Sequence, residues 1–343
     1  MKATSGRLAG LAAFSVLALG AACNPDKPVE PGSLKFDAAQ VSAAPLVQHV
    51  VAPQATDPAI DRALDNHYAW LDTIAPTNHR LFVYLPGSGG VPANALLVQQ
   101  EAARLGYHVI GLMYVSEYFL ASLCGGSADP NSCFESAHYE IVYGTDRSPL
   151  VEVNVPNSIY SRLTRLLQYL DANYPDEGWS QFLADGNPKW SQIAVGGASQ
   201  GGGNAAMIAK NHVVDRVVLF SAVTDALGAV GCQAAQNWGA THVTVSARYW
   251  GLAHDSEPAI GDICASWSTI GMDTFGPLVA PEVSAPPYGG THRLVTGLRP
   301  QRGGYKAAHP STVIDFYTPL NKDGTPALAD AWRYMLSAPL RAE

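Results

Sequence analysis

The sequence predicts an α/β fold: a mostly parallel central sheet with helices on both faces. Short apolar runs such as Leu81 to Leu85, Val109 to Val115 and Ile193 to Val195 read as strands buried on both sides. Between them, Val98, Ala102 and Leu105, and later Ile159, Leu163, Leu166, Leu167 and Leu170, fall at helical spacing. These strand and helix signals alternate on both sides of one strand-turn-helix stretch, Trp190 to Lys210, as crossover connections require.

A chain of 343 residues with 47% hydrophobic and 15% charged residues can bury a sizeable core in one α/β unit. Its formal net charge of -8 makes nucleic acid a poor partner and gives no reason for adhesion to an anionic membrane. At the N-terminus, Lys2 and Arg7 precede the apolar run Leu8 to Leu19, too short to span a bilayer and followed by small residues. Residues 1–22 are therefore expected to be a signal peptide, and the chain to be exported. Gly20-Ala21-Ala22-Cys23 resembles the lipobox of bacterial lipoproteins, which implies lipidation at Cys23; ordinary cleavage is the alternative. The expected location is an outer or cell-surface membrane through that anchor, or the periplasm or medium without it. Residues 23–56, rich in Pro, Ala and Ser, are expected to be a flexible tether, and residues 57–343 the folded domain.

Within that domain, Tyr68 to Thr73 and Arg80 to Leu85 read as strands joined through the turn formers Ala75-Pro76-Thr77-Asn78. Gly106 is placed to close the helix carrying Val98 and Ala102. Tyr118 to Val155 breaks the alternation with turn formers, aromatic residues, Cys124 and Cys133, and is expected to be an insertion over the site. Without Cys23 the chain keeps an even number of cysteines, and proximity in sequence pairs Cys124 with Cys133 and Cys232 with Cys264. None has metal-ligand spacing. Arg216 to Ser221, Arg248 to Ala253 and His292 to Thr296 read as later strands, with a closing helix around Leu328, Ala331, Trp332 and Met335.

The decisive stretch is Gly197-Ala198-Ser199-Gln200-Gly201-Gly202-Gly203. Three glycines opening a helix should cost about 1 kcal/mol each relative to alanine, so something other than propensity requires them. A strand that reverses into a helix within a few residues strains the residue at the turn and leaves no room for flanking side chains. Such a turn lifts the Ser199 hydroxyl to the carboxyl edge of the sheet, at a helix N-terminus that favours a developing oxyanion.

This G-x-S-x-G stretch resembles the nucleophile elbow of the α/β-hydrolase family, and the resemblance extends over roughly Tyr68 to Leu336. Together with Pro286 to Thr296, it also looks like a group of exported bacterial hydrolases of poorly defined substrate. The resemblance implies an oxyanion hole formed by the backbone of Gln200 and of Ser88 or Gly89, in the loop Pro86-Gly87-Ser88-Gly89-Gly90, which lacks the histidine often found there. It also implies the chain order serine, acid, histidine. His309, in a Gly-rich loop after the last strand, fits the base better than His212 or His292; among the acids Asp255 ranks first, Glu257 second and Asp225 third.

The expected function is an exported serine esterase working through an acyl-enzyme, with no cofactor or metal, on a small ester or an extracellular polymer. The same residues suit amide or peptide cleavage. A catalytically silent surface binding protein is the contrasting class, but it has no use for a strained serine turn. A dehalogenase needs aspartate where this chain has Ser199.

Overall fold

The computed structural model describes residues 45–235 and 237–340; the signal peptide, Cys23 and most of the expected tether lie outside them. Its strands are β1 (Val47–Val51), β2 (His67–Leu71), β3 (Leu81–Leu85), β4 (His108–Gly111), β5 (Leu183–Ala184), β6 (Asn187–Pro188), β7 (Ile193–Ala198), β8 (Arg216–Phe220), β9 (Tyr249–His254) and β10 (Arg293–Thr296). Apart from the small β5-β6 ribbon, they form one eight-stranded sheet in the order β1-β2-β4-β3-β7-β8-β9-β10. All pairings from β4 to β10 are parallel, while β1 and β2 add two antiparallel strands at one edge. The helices are α1 (Pro53–Thr56), α2 (Leu96–Arg104), α3 (Leu120–Cys124), α4 (Pro130–Tyr143), α5 (Ile159–Asn173), α6 (Gln200–Asn211), α7 (Ile260–Ile270) and α8 (Ala329–Ser337).

The continuous apolar runs follow from a sheet with a core on each face. Side chains alternate along a strand. Thus Leu81, Val83 and Leu85 of β3 join the core under α4 to α7, while Phe82 and Tyr84 join the core under α2 and α8. β7 and β8 divide in the same way, with Val195, Val217 and Leu219 on one face and Ala194, Val218 and Phe220 on the other. On α5, Ile159, Leu163, Leu166, Leu167 and Leu170 are fully buried. Each contributes about 1.5–3 kcal/mol of apolar burial. Ser158 caps this helix by accepting from Ser161 N–H.

One local expectation is corrected and two others are filled in. The expected tether ends earlier, because Val47–Val51 pairs with β2; its half-buried, half-exposed alternation marks an edge strand whose sequence, with His49 inside and Val50 outside, carries little periodicity. β2 and β3, consecutive in sequence, are separated in the sheet by β4. The 118–155 insertion contains two helices. Asp129 accepts from Ser132 N–H at the start of α4, Pro130 occupies its first turn, and Gly144 closes it at φ 70°. Phe134, Ala137 and Ile141 then bury α4 in the core.

Both disulfides join the expected partners: Cys124–Cys133 ties α3 to α4, and Cys232–Cys264 ties the loop after β8 to α7. They fit a non-cytoplasmic location. Among the described residues no helix is long and apolar enough to cross a membrane.

Candidate active site

The strand order itself locates a crevice. The chain leaves β3 toward β4 on one side and leaves β7 toward β8 on the other, so the loops after these adjacent strands diverge at their carboxyl ends. In open α/β sheets ligands bind at such a switch point. Here the two loops are Pro86 to Gly90 and the turn at Ser199.

Ser199 has φ 50° and ψ −121°, a left-handed conformation that a side chain rarely tolerates. The glycines around it are required by close contacts. A Cβ on Gly197 would lie 2.4 Å from Gly201 C, and one on Gly201 would lie 2.2 Å from Leu85 O. One on Gly202 would meet Ala222 Cβ at 2.3 Å, and one on Gly203 would meet the His138 ring at 2.5 Å. Each of the three helix-opening glycines thus makes room for a different neighbour, and together they offset the poor propensity of the run.

The Pro86–Gly90 loop packs directly on this turn: a Cβ on Gly87 would sit 3.3 Å from Ser199 Cβ. Tyr114 Oη donates to Pro86 O at 2.6 Å, holding the loop from below. The Gly89 N–H donates to Ser116 O at 2.8 Å and is therefore taken. Among the described residues the N–H groups of Ser88 and Gln200 have no acceptor, so Ser88 is the better placed of the two loop candidates. Ser88 Oγ also donates to Gln200 Oε1 at 2.6 Å, locking the two candidate donor residues together.

His309 Nδ1 donates to Glu257 Oε2 at 2.5 Å. Glu257 is buried, and its Oε1 accepts from Ser221 Oγ at 3.0 Å and from His254 N–H at 2.8 Å. The ranking of the acids is thereby corrected. Asp255, placed first, turns outward with a side chain 57% exposed and accepts from Ser256 Oγ. The cause is the turn after β9, closed by Glu257 N–H donating to His254 O, which sends Asp255 out and brings Glu257 back under the sheet edge. Asp225, placed third, is held by another histidine, His138.

Ser199, Ser88, Gln200 and His309 line one cavity of about 490 Å³, with Phe119 and Leu120 from the insertion forming part of its wall. The cavity also takes in His138 and Asp225. His138 has no counterpart in the sequence expectations; the signal for it was Gly203, whose missing side chain is filled by its ring. His292 is buried and its Nδ1 donates to the Tyr249 carbonyl, away from the cavity. Further along the same loop, Asp315 accepts from Leu96 N–H and Leu97 N–H at the start of α2, pinning the segment after His309 to that helix. Burial pushes the Asp315 carboxyl up to about 6, against the opposing pull of those two amides.

Comparison with protein-family models and with curated proteins gave no match. The functional reading rests on geometry. Among the described residues no group of three or more His, Cys, Asp or Glu side chains is placed to hold a metal ion.

Proposed function

We propose that the protein is an exported serine hydrolase of the α/β-hydrolase type that cleaves a carboxylic ester through an acyl-enzyme. The observation that carries this reading is the convergence, on one cavity, of a strained serine at a helix N-terminus and a histidine backed by a buried carboxylate.

In this reading Ser199 Oγ attacks the ester carbonyl and His309 Nε2 takes its proton. Glu257 fixes the imidazole with Nδ1–H toward the carboxylate, which leaves Nε2 free to accept, and it stabilises the imidazolium that forms. The backbone N–H groups of Ser88 and Gln200 receive the oxyanion. Collapse of the tetrahedral adduct breaks the bond to the alcohol, which leaves with the proton from His309. Water, deprotonated by the same imidazole, then releases the acid and restores Ser199. Among the described residues the Ser199 hydroxyl makes no hydrogen bond, and such contacts often tighten only with substrate present. The membrane is reached, in this proposal, through a lipid on Cys23.

The test is a hydrolysis screen over aryl esters of graded acyl length, with Ser199→Ala as the blank. Turnover by the native protein that is lost in the variant supports the reading. Equal behaviour of the two proteins on every ester contradicts it.

A further inference from the structure

The cavity contains a second histidine–carboxylate pair that the proposed reaction does not use. Asp225 Oδ2 accepts from His138 Nε2 at 3.1 Å and from Trp238 Nε1 at 2.8 Å. His138 Nδ1 in turn hydrogen-bonds Asn204 Oδ1 at 2.6 Å. The His138 side chain is 1% exposed and the Asp225 side chain 5% exposed. Four segments are thus linked through this pair: α4 with His138, α6 with Asn204, the loop after β8 with Asp225, and the Trp238 turn. The helix even omits a side chain at Gly203 so that the His138 ring fits.

All of this fixes one carboxylate oxygen and leaves the other. Among the described residues Asp225 Oδ1 has no hydrogen-bond partner, and it is not among the buried polar atoms lacking one, so it keeps access to the cavity that Asp225 lines. A carboxylate oxygen accepts and cannot donate. Phe119, Leu120 and Ile314 give the same cavity apolar lining, alongside the polar Ser122 and Thr224. A partly apolar cavity with an anchored carboxylate oxygen favours a ligand with a hydrocarbon arm and a donor on it, because a site built around a hydrogen bond discriminates against the analogue lacking its partner.

We infer that Asp225 is a specificity-determining residue, positioned by His138, Trp238 and Asn204, which accepts a hydrogen bond from a hydroxyl or ammonium group carried on the acyl arm of the ester. This rests on the serine-hydrolase reading above and names the substrate class of the same site.

The experiment uses nitrophenyl esters of six- and eight-carbon acids, each with a terminal methyl, hydroxyl, ammonium or methyl ether. The native protein should favour a hydroxyl- or ammonium-terminated ester over its methyl-terminated analogue by about tenfold or more in kcat/KM, mainly through KM. Whichever of the two donors gains more identifies the natural group. Asp225→Asn keeps an acceptor for His138 and Trp238 but turns an NH₂ donor toward the cavity. It should therefore lose the preference for the donors and gain one for the ether, a reversal that a merely structural role would not produce. Equal rates on donor and methyl esters in the native protein, or an Asp225→Asn variant that slows every ester alike, overturn the inference. The native ratios decide the matter alone if Asp225→Asn does not fold. Labelling of Ser199 by a fluorophosphonate needs no acyl arm, so a labelled protein without ester preference refutes only the Asp225 role. Absence of both labelling and hydrolysis refutes the hydrolase reading and this inference with it.

Discussion

Two histidine–carboxylate pairs face the same cavity with opposite polarity. In His309–Glu257 the carboxylate side chain is 0% exposed and the imidazole 33% exposed, so in the proposed reaction the pair offers a base. In His138–Asp225 the imidazole is sealed at 1% and the carboxylate keeps one oxygen toward the cavity, so the pair offers an acceptor. Both pairs join an imidazole to a carboxylate; what differs is which partner keeps an open atom toward the cavity. A buried group that is fully hydrogen-bonded orients its partner, and only the partner left open can act on a substrate.

The largest separation between the pairs should appear in kcat. Glu257→Gln removes the charge proposed to stabilise the His309 imidazolium and should lower kcat about a thousandfold, a barrier increase of roughly 4 kcal/mol. Asp255→Asn, at an exposed side chain two residues away, should leave kcat within a fewfold. Steady-state kinetics on one aryl ester checks both, and a dead Asp255→Asn beside an active Glu257→Gln would restore the sequence-based ranking.

Stability should distinguish the second pair. His138→Leu leaves Asp225 buried without its imidazole, and breaking such a pair typically costs about 3–5 kcal/mol. Urea denaturation followed by tryptophan fluorescence reads the loss; an unchanged midpoint would mean that the pair does not brace α4 against α6. Gly203→Ala probes the same contact from the other side. Helix propensity alone favours alanine by about 1 kcal/mol, whereas the clash with the His138 ring predicts a net loss of about 1–3 kcal/mol. A stabilised Gly203→Ala protein would show that the ring yields.

The smallest effect concerns the tether of the first pair. The Asp315 carboxyl is raised to about 6 in the folded protein from 3.8, so the folded state binds a proton more readily than the unfolded chain. Its contribution is therefore fully present below about pH 4 and is lost as pH rises through about 6. His67, buried and lowered to about 3, acts in the opposite sense: the unfolded chain takes up its proton first, so acid destabilises the fold between about pH 6.5 and 3. In Asp315→Asn the acid-side gain from Asp315 should vanish, shifting the stability difference from native between pH 4 and 7 by at most about 3 kcal/mol, and by on the order of 1 kcal/mol once solvent screens this half-buried group. Parallel stability–pH curves for the two proteins would remove Asp315 from the account.

The legibility of these features in the sequence follows their range. The turn at Ser199 was readable because strand, glycines and helix are contiguous, and its strain is local. The two-sided core was readable from the apolar runs of β3, β7 and β8, since both faces bury alternate residues of the same run. The choice between Asp255 and Glu257 was not, because it depends on how a single turn after β9 closes. β1 escaped notice because an edge strand needs only one buried face and its five residues mix Gln and His with Val. The start of α4 was signalled by Asp129 followed by Pro130, a helix-opening pair obscured by the glycines before it. His138 could not be placed at all, since its partners Asn204 and Asp225 are 66 and 87 residues away. Gly203 pointed to a close neighbour without saying which.

In the proposed reaction Ser199 is an activated nucleophile served by His309 and Glu257. The most direct test of that role is the rate of covalent labelling by a fluorophosphonate, read by intact mass and peptide mapping in the native, Glu257→Gln and Ser199→Ala proteins. A single adduct on Ser199 is expected in the native protein, formed far more slowly in Glu257→Gln and absent in Ser199→Ala. An adduct that persists in Ser199→Ala, or a Glu257→Gln protein that labels as fast as the native one, would contradict it.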